Sequence, residues 1–253
     1  MLDEATLRRA LNDAGLPDGS VRYDDVTDST NATALAMARE GAPEWTLVAA
    51  RHQTAGRGRL GRSWISEPGG ALLFSLVLRP RLPPDLAPLL SLLAGVAMVD
   101  ACGDCGISEV TCKWPNDLLL GGRKVGGILT EAELEGDEVR HVVVGVGLNV
   151  GKVPSRVDGA AALGGDVEAG SLLRPFLAEF ASRYGTGPSR FADSVLRESR
   201  RVSATLGKRV RATTLGGRTV EGTAVDLDER GNLVVDTDTG PETIGFGEVQ
   251  HLR

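Results

Sequence analysis

The sequence predicts an α+β fold in which a mixed, mainly antiparallel sheet with flanking helices is followed by a small β-barrel. The first observation is a set of apolar strand candidates at residues 117–120, 125–133 and 139–150. Short glycine-containing turns join them, and such connections require antiparallel pairing because a parallel crossover needs far more chain. The second observation is helical spacing of apolar residues on both sides of these strands. The third is residues 203–253, where short strands alternate with turns, as in a small barrel.

The N-terminal part is predicted to alternate helices and strands. Leucines near helical spacing, with a glycine stop, indicate a helix over residues 3–14. A second helix is capped by the polar run at residues 28–31 and ends at Gly41. Apolar strands are predicted at residues 46–51 and 71–78, with a stretch rich in arginine and glycine between them.

The remaining elements follow from apolar content and turn residues. Residues 86–99 predict a buried helix, residues 151–170 a mobile loop without periodicity, and residues 170–201 helices interrupted around 185–188. The change of character near residue 203 predicts two domains, 1–202 and 203–253. Short strands are predicted in the second domain at residues 210–212, 219–226, 233–236 and 243–246.

Composition excludes several classes of function. The chain has 28 Lys and Arg against 34 Asp and Glu, a net charge of −6, which does not suit a protein that binds nucleic acid over its whole surface. Three cysteines cannot build a disulfide framework, so we expect a reducing, cytoplasmic location. The apolar stretch at residues 82–101 is interrupted by prolines, and no membrane span is expected. Cys102 and Cys105 form a C-x-x-C pair without further ligands at metal spacing, so we interpret them as core residues.

A glycine-rich segment at residues 56–61 matches the dinucleotide pattern G-x-G-x-x-G. The residues after it include Pro68 and two glycines and cannot continue as the helix that a Rossmann loop requires. Arg57, Arg59 and Arg62 alternate with the glycines instead, and backbone amides with guanidinium groups predict anion binding. The alternative is a solvated turn whose arginines pair with surface carboxylates.

A second segment concentrates charge around residues 113–129. Lys113 and Lys124 are two of only four lysines in the chain, and Asp117 lies between them. A lysine stabilises a developing negative oxygen, and a carboxylate takes a proton or binds a metal. The alternative is a hairpin with an exposed Lys–Asp pair, although Gly126 and Gly127 within an apolar strand favour close approach of a ligand.

The third segment is GVGLNV at residues 145–150. Asn149 ends a buried strand and is able to donate and accept hydrogen bonds at once, as an adenine edge requires. A structural asparagine is the alternative.

Taken together, GRGRLGR, KWPNDLLL, RKVGGIL and GVGLNV, in this order after DSTN, resemble the biotin–protein ligase family over residues 24–150. The C-terminal β segment is similar to the family's SH3-like domain. The resemblance implies a ligase that activates biotin with MgATP as biotinyl-5′-adenylate. It then transfers the biotinyl group to a lysine of a biotin carboxyl carrier domain in a biotin-dependent carboxylase.

The resemblance also implies roles for individual residues. Catalysis is assigned to Lys124 and Arg59, and also to Asp117 because it is the carboxylate nearest the motif lysines in sequence; no protein residue is assigned to the metal. Biotin is expected to contact Ser29, Thr30, Asn31, Gln53, Gly56, Arg57, Arg59, Lys124, Gly126 and Gly127. ATP and the adenylate are expected to contact Arg57, Arg59, Arg62, Trp64, Lys113, Asn116, Lys124 and Asn149.

Two departures from the family pattern shape the remaining expectations. Residues 151–170 contain no aromatic side chain to pack on adenine, and the matched motifs begin at residue 28, too early for a preceding winged helix. We therefore expect a monofunctional ligase without DNA or membrane partners, as a monomer or weak homodimer. The alternatives are a lipoate–protein ligase of the same fold and a non-catalytic ligand-binding regulator.

Overall fold

The centre of the larger unit is a seven-stranded sheet. The computed structural model describes residues 2–153, 157–164, 167–214, 216–245 and 247–252. The strands of this sheet are β1 (Val21–Thr27), β2 (Thr46–Gln53), β3 (Ala71–Leu78), β4 (Val110–Lys113), β5 (Asp117–Leu120), β6 (Arg123–Glu135) and β7 (Glu138–Asn149). Their order is β1-β2-β3-β7-β6-β5-β4. β1 and β2 are parallel and the other neighbours are antiparallel, so the predicted fold class is confirmed.

Five helices flank the sheet within the described part of the chain. Asp3 caps the first by accepting a hydrogen bond from the backbone N–H of Thr6 at 2.8 Å, and Ser29 caps the second. The predicted interruption near residue 185 is confirmed, because Pro188 starts a new helix. The helices are α1 (Glu4–Asp13), α2 (Thr30–Arg39), α3 (Leu89–Asp104), α4 (Leu173–Tyr184) and α5 (Pro188–Arg201).

The most apolar helix is α3. The segment Pro84–Asp104 is long and apolar enough to cross a membrane, with a mean hydropathy of 1.8, yet 61% of its apolar window is buried inside the fold. A helix that is apolar on all sides is typical of a protein core. Its contacts with α4, α5 and the sheet identify α3 as the core helix predicted at residues 86–99.

The C-terminal unit is a five-stranded antiparallel sheet. The sequence predicts four strands there; the expected strand at 243–246 overlaps the last two residues of the strand Gly240–Ile244, and Phe246 lies outside the described residues. The strands are β8 (Arg209–Thr214), β9 (Thr219–Leu227), β10 (Leu233–Thr237), β11 (Gly240–Ile244) and β12 (Gly247–His251), in the order β11-β10-β9-β8-β12. The five-stranded sheet agrees with the expected SH3-like unit, although the described residues show no pairing of β11 with β12.

The two sheets are joined through the segment between β4 and β5. The backbone N–H of Trp114 donates to Thr205 Oγ1 at 3.0 Å, and its indole Nε1 donates to the Gly231 carbonyl at 2.9 Å. Trp114 is buried, and its peptide bond to Pro115 is cis. These contacts hold the C-terminal sheet beside the β4–β5 turn. The domain boundary near residue 203 stays a prediction.

Candidate functional site

A cleft of about 430 Å³ opens between the ends of the central strands and β12. Thirteen of the sixteen residues expected to act in binding or catalysis line it: Ser29, Thr30, Asn31, Gln53, Arg57, Arg59, Arg62, Trp64, Lys113, Asn116, Asp117, Lys124 and Gly127. The volume lies within the usual range for small-molecule sites.

Three expected residues lie outside the lining. A Cβ on Gly126 would lie 2.9 Å from the Gly147 carbonyl oxygen and 3.0 Å from Leu118 Cδ1, so packing against protein explains this glycine. A Cβ on Gly56 would lie 2.6 Å from the Trp64 carbonyl oxygen, so the fold of the loop itself explains the second. The third residue outside the lining is Asn149, which is buried.

Asn149 donates through Nδ2 to the carbonyl of Ala161 at 3.1 Å, while its Oδ1 has no partner among the described residues. The N–H of Ala161 in turn donates to the Lys124 carbonyl at 2.7 Å. This part of the predicted 151–170 loop is therefore attached to the start of β6 in this structure. Residues 154–156 and 165–166 of that loop lie outside the described residues.

One wall of the cleft is polar and uncharged. Ser29 caps α2 and Thr30 begins it, and the positive end of a helix dipole suits polar or anionic ligands. Thr30 donates from its backbone N–H and its hydroxyl to Gln53 Oε1, at 2.7 and 3.1 Å. These contacts fix Gln53 at the end of β2 with its oxygen towards Thr30.

The side chain of Asn31, which is expected to contact biotin, is hydrogen-bonded to other protein groups. Its Nδ2 donates to the Leu129 carbonyl at 3.1 Å and to Glu131 Oε2 at 2.8 Å, which uses both N–H groups of the amide. The residue is also buried. The side-chain amide of Asn31 therefore has no N–H left to donate to a ligand, and its contact with biotin stays a prediction.

A second group of lining residues, the cationic wall, carries the positive charge and adjoins the polar wall, because Arg57 and Asn31 both donate to Glu131 Oε2. Arg57, Arg59, Arg62, Lys113 and Lys124 line the cleft, against the carboxylates Asp117 and Glu248. An excess of cations in a chain of net charge −6 concentrates a positive field in this cleft and predicts an anionic ligand.

Two of these cations, Lys124 and Arg59, contact neighbouring polar side chains. Lys124 Nζ lies 2.5 Å from Asp117 Oδ1, and the lysine side chain is 45% exposed. Arg59 Nη1 donates to Asn116 Oδ1 at 3.2 Å. Burial lowers the pKa of this guanidinium, and the nearby carboxylate of Asp117 opposes that shift. Since arginine stays charged in proteins, Arg59 keeps its positive charge in this partly desolvated position.

The glycine-rich loop is folded as a tight hairpin. The N–H of Gly58 donates to the Arg62 carbonyl at 2.7 Å, and the N–H of Trp64 donates to the Gly56 carbonyl at 2.8 Å. Leu60 at the tip has φ 55° and ψ 37°, a left-handed conformation that costs a non-glycine residue roughly 1–2 kcal/mol. Strain of this kind is typical of ligand-binding segments.

The C-terminal sheet contributes residues that the sequence analysis missed. Gly247, Glu248, Val249 and Gln250 of β12 line the cleft, and Glu248 pairs with Arg62 of the loop at 2.5 Å. Arg57 pairs with Glu131 of β6 at 2.9 Å. No local motif marks these partners, because each is separated from its arginine by many residues.

Two glycines of β7 were also missed. A Cβ on Gly145 would lie 1.8 Å from Asn31 Oδ1, and one on Gly147 would lie 2.6 Å from Trp64 Cε2. Glycines at alternate positions of a strand face the same side, so G-V-G was the available signal for close approach. They leave space for Asn31 and Trp64 beside the cleft.

Replacing Gly145 with alanine is therefore expected to displace Asn31 from its hydrogen bonds. Overpacking of this kind costs about 1–3 kcal/mol, or a Tm lower by roughly 3–10 °C for a chain of this size. Gly103→Ala in α3 is the control, because a Cβ there meets nothing within 4 Å and alanine favours a helix. An unchanged Tm for Gly145→Ala, measured by thermal unfolding, would show that Asn31 relaxes freely.

Comparison with known proteins gives matches over both units. Residues 23–149 match the biotin/lipoate A/B protein ligase family, and residues 205–252 match the biotin protein ligase C-terminal domain.

Curated relatives and a solved structure are similar to this chain over nearly its whole length. The biotin–[acetyl-CoA-carboxylase] ligase of Mycobacterium tuberculosis is 37% identical, covering 100% of this chain and 96% of the relative. The bifunctional ligase/repressor BirA of Bacillus subtilis is 35% identical over 90% of this chain and 73% of its own. The solved biotin protein ligase of Aquifex aeolicus in complex with biotin and ATP is 26% identical, with a TM-score of 0.73 over 92% of this chain and 99% of that one.

Proposed function

The chain belongs to the biotin/lipoate A/B protein ligase family, and from that premise we propose that its cleft is where biotin reacts with ATP. The activity is that of a biotin–protein ligase, in which biotin and ATP form biotinyl-5′-adenylate and pyrophosphate. The biotinyl group then passes to a lysine of a biotin carboxyl carrier domain, with release of AMP.

The observation that carries the assignment of the cleft is its division into two walls. The uncharged wall around Thr30 and Gln53 offers hydrogen bonds to a neutral ring such as the ureido group of biotin. The adjoining cationic wall carries five cations, which suit the biotin carboxylate and the phosphates of ATP. Biotinyl-adenylate combines a neutral ring and a phosphate in one molecule, and it therefore fits both walls.

The reacting groups are proposed to meet beside Lys124. When the biotin carboxylate attacks the α-phosphorus, negative charge grows on the phosphoryl oxygens and on the leaving pyrophosphate. The Lys124 ammonium, with Arg59 nearby on the same wall, stabilises that charge electrostatically. Asp117, 2.5 Å from Lys124, is the proposed base that takes a proton from the acceptor lysine in the second step.

Magnesium is proposed to arrive with the triphosphate. The described residues contain no group of three or more His, Cys, Asp or Glu that could hold a metal ion. The two carboxylates that line the cleft, Asp117 and Glu248, are each paired with a cation. Because Mg²⁺ commonly binds through substrate phosphates and retained waters, MgATP needs no such cluster, and we assign the metal no protein ligand.

Partners and location complete the proposal. The net charge of −6 supports a ligase that does not bind DNA. A reducing cytoplasm suits the free thiols of Cys102 and Cys112, whose pKa burial raises to about 12, which makes them unreactive. A monomer or weak homodimer is the expected assembly.

The test of the proposed function is formation of an acyl-adenylate from ATP labelled at the α-phosphate. We expect label in biotinyl-adenylate when biotin is supplied and none when lipoate is supplied. Label with lipoate alone would identify a lipoate ligase. Binding of biotin without any adenylate would identify a non-catalytic regulator.

Arg59 is expected to retain the adenylate, because a hydrogen bond to Asn116 holds its guanidinium in place within the cationic wall. Replacing Arg59 with glycine removes a charged contact, and release of preformed biotinyl-adenylate should become about tenfold faster or more. The leaked adenylate should then biotinylate lysines of a bystander protein such as albumin. Arg230→Ala, which removes an exposed ion pair with Asp85, is the control. Unchanged release from the Arg59 variant would contradict this role.

A further inference from the structure

Ser75 is a buried serine directly behind the polar wall of the cleft. It lies in the middle of β3, is 0% exposed, and does not line the cleft itself. Its single O–H is shared between two acceptors, Thr30 Oγ1 at 2.8 Å and Asn31 Oδ1 at 2.6 Å. A hydroxyl is costly to bury unless it is hydrogen-bonded, so a serine in an otherwise apolar strand is held there by these two partners.

The donor and acceptor roles around Ser75 follow from groups that have only one role. The backbone N–H of Thr30 is only a donor, so the atom that it contacts in Gln53 is the amide oxygen. In the same way, the Leu129 carbonyl and the Glu131 carboxylate are acceptors, so they face the nitrogen of Asn31. The oxygen of Asn31 consequently faces Ser75.

The hydrogen-bond network that begins at Ser75 extends through Thr30 to the side-chain amide of Gln53. Ser75 donates to Thr30 Oγ1, and Thr30 Oγ1 donates to Gln53 Oε1 at 3.1 Å. Gln53 Oε1 thus accepts two hydrogen bonds from Thr30, whereas Gln53 Nε2 makes no hydrogen bond with another described residue. Gln53 lines the cleft with this donor group unused.

We propose that Ser75 is a positioning residue for biotin recognition, which holds Thr30 and thereby presents the Gln53 amide nitrogen as a donor to the ureido oxygen. The inference rests on the proposed function, because it takes biotin as the ligand of this wall. Ser75 touches no reacting atom, so it affects binding and discrimination and leaves the rate of the chemical steps unchanged.

The packing around Ser75 leaves the network little freedom to rearrange. Ser75 is paired with Gly145 of the neighbouring strand, and a Cβ on that glycine would overlap Asn31 Oδ1 at 1.8 Å. Asn31 therefore fills the space beside Ser75 and is fixed by three hydrogen bonds. Removing the Ser75 hydroxyl frees Thr30 Oγ1 to turn, and Gln53 Oε1 then keeps only the hydrogen bond from the Thr30 backbone N–H, which leaves the Gln53 amide less firmly oriented.

The test compares Ser75→Ala with wild type for two ligands at one pH. These are biotin and 2-iminobiotin, in which an imino nitrogen replaces the ureido oxygen. Loss of one fixed hydrogen bond is expected to raise the Kd of biotin about tenfold. The Kd of 2-iminobiotin should stay within about twofold, because it offers no ureido oxygen to the donor, and kcat at saturating biotin should also stay within about twofold.

Thr46→Val is the matched control. Thr46 is 0% exposed in the neighbouring strand β2, and its hydroxyl donates to the Pro43 carbonyl at 2.7 Å, away from the cleft lining. It should lose stability in the same way and keep the wild-type Kd for both ligands. If Ser75→Ala fails to fold, Ser75→Cys retains the bulk with a weaker donor and should show the same change in discrimination.

The outcomes separate this inference from the function on which it rests. Wild-type protein that does not bind biotin overturns the proposed function. Wild type that binds biotin, with an unchanged ratio of the two Kd values in the Ser75 variant, overturns the role of Ser75 alone. Equal loss of affinity for both ligands, or the same change in Thr46→Val, assigns Ser75 to stability only and also overturns the proposal.

Discussion

Replacing Lys124 with methionine is expected to slow the formation of biotinyl-adenylate by about a hundredfold or more, because it removes a cation from transition-state charge in a preorganised site. The side chain lies in the cleft and is 45% exposed, so a ligand can reach it, while Asp117 holds its ammonium group at 2.5 Å. Methionine keeps the length and apolar stem of lysine and removes the charge.

The position of Lys124 is also fixed by its backbone. Its carbonyl accepts a hydrogen bond from the N–H of Ala161 at 2.7 Å, and β6 pairs with β5 on its other side. The variant should therefore keep its fold, and the loss should fall on kcat as well as on kcat/KM.

The measurement is single-turnover release of pyrophosphate at saturating biotin and ATP. Lys208→Met is the control, since Lys208 precedes β8 and does not line the cleft. A loss below about threefold would be far smaller than the effect of removing one preorganised donor and would assign the transition-state charge to another cation.

The elements that the sequence predicts correctly are those whose pattern is local. The three strands from residue 117 to 149 carry apolar runs separated by glycine turns, and all three are present. β1 was missed because the segment VRYDDVT is polar and lies at the edge of the sheet, where one side chain row faces solvent. β4 and β12 are too short, at 4 and 5 residues, to show a period.

The site residues also divide into those that a local motif predicts and those that it does not. Motif residues such as Arg59 and Lys124 could be found because each motif is contiguous, and the structure brings them into one cleft. The support of the site could not be found in this way, since it depends on which strands are neighbours. Ser75 meets Gly145 only because β3 pairs with β7, and Glu248 meets Arg62 only because the C-terminal sheet lies against the loop.

Replacing Asp117 with asparagine is expected to slow transfer of the biotinyl group by about a hundredfold while adenylate formation changes by less than about threefold. The acceptor lysine is an ammonium at neutral pH and must lose a proton before it attacks the carbonyl of the adenylate. Among the described residues, Asp117 is one of two carboxylates that line the cleft, and it lies next to Lys124, where the adenylate is proposed to react. Asparagine still accepts a hydrogen bond from Lys124, so the contribution of that lysine to the first step is retained.

The competing role for Asp117 is to position Lys124 through their ion pair. In that case asparagine would weaken adenylate formation at least as much as transfer. Glu248→Gln serves as the control, because Glu248 is the other lining carboxylate and pairs with Arg62 of the loop. It should slow neither step selectively.

The pH dependence of transfer separates the two roles of Asp117. Without a base, only acceptor lysine that is already neutral can react, and its pKa is about 10.4 when unperturbed. Transfer by the Asp117→Asn variant, measured from preformed biotinyl-adenylate in a single turnover, should therefore rise about tenfold per pH unit between pH 7 and 9 and approach the wild-type rate. A pH profile parallel to that of wild type, or a loss confined to adenylate formation, would show that Asp117 holds Lys124 and takes no proton.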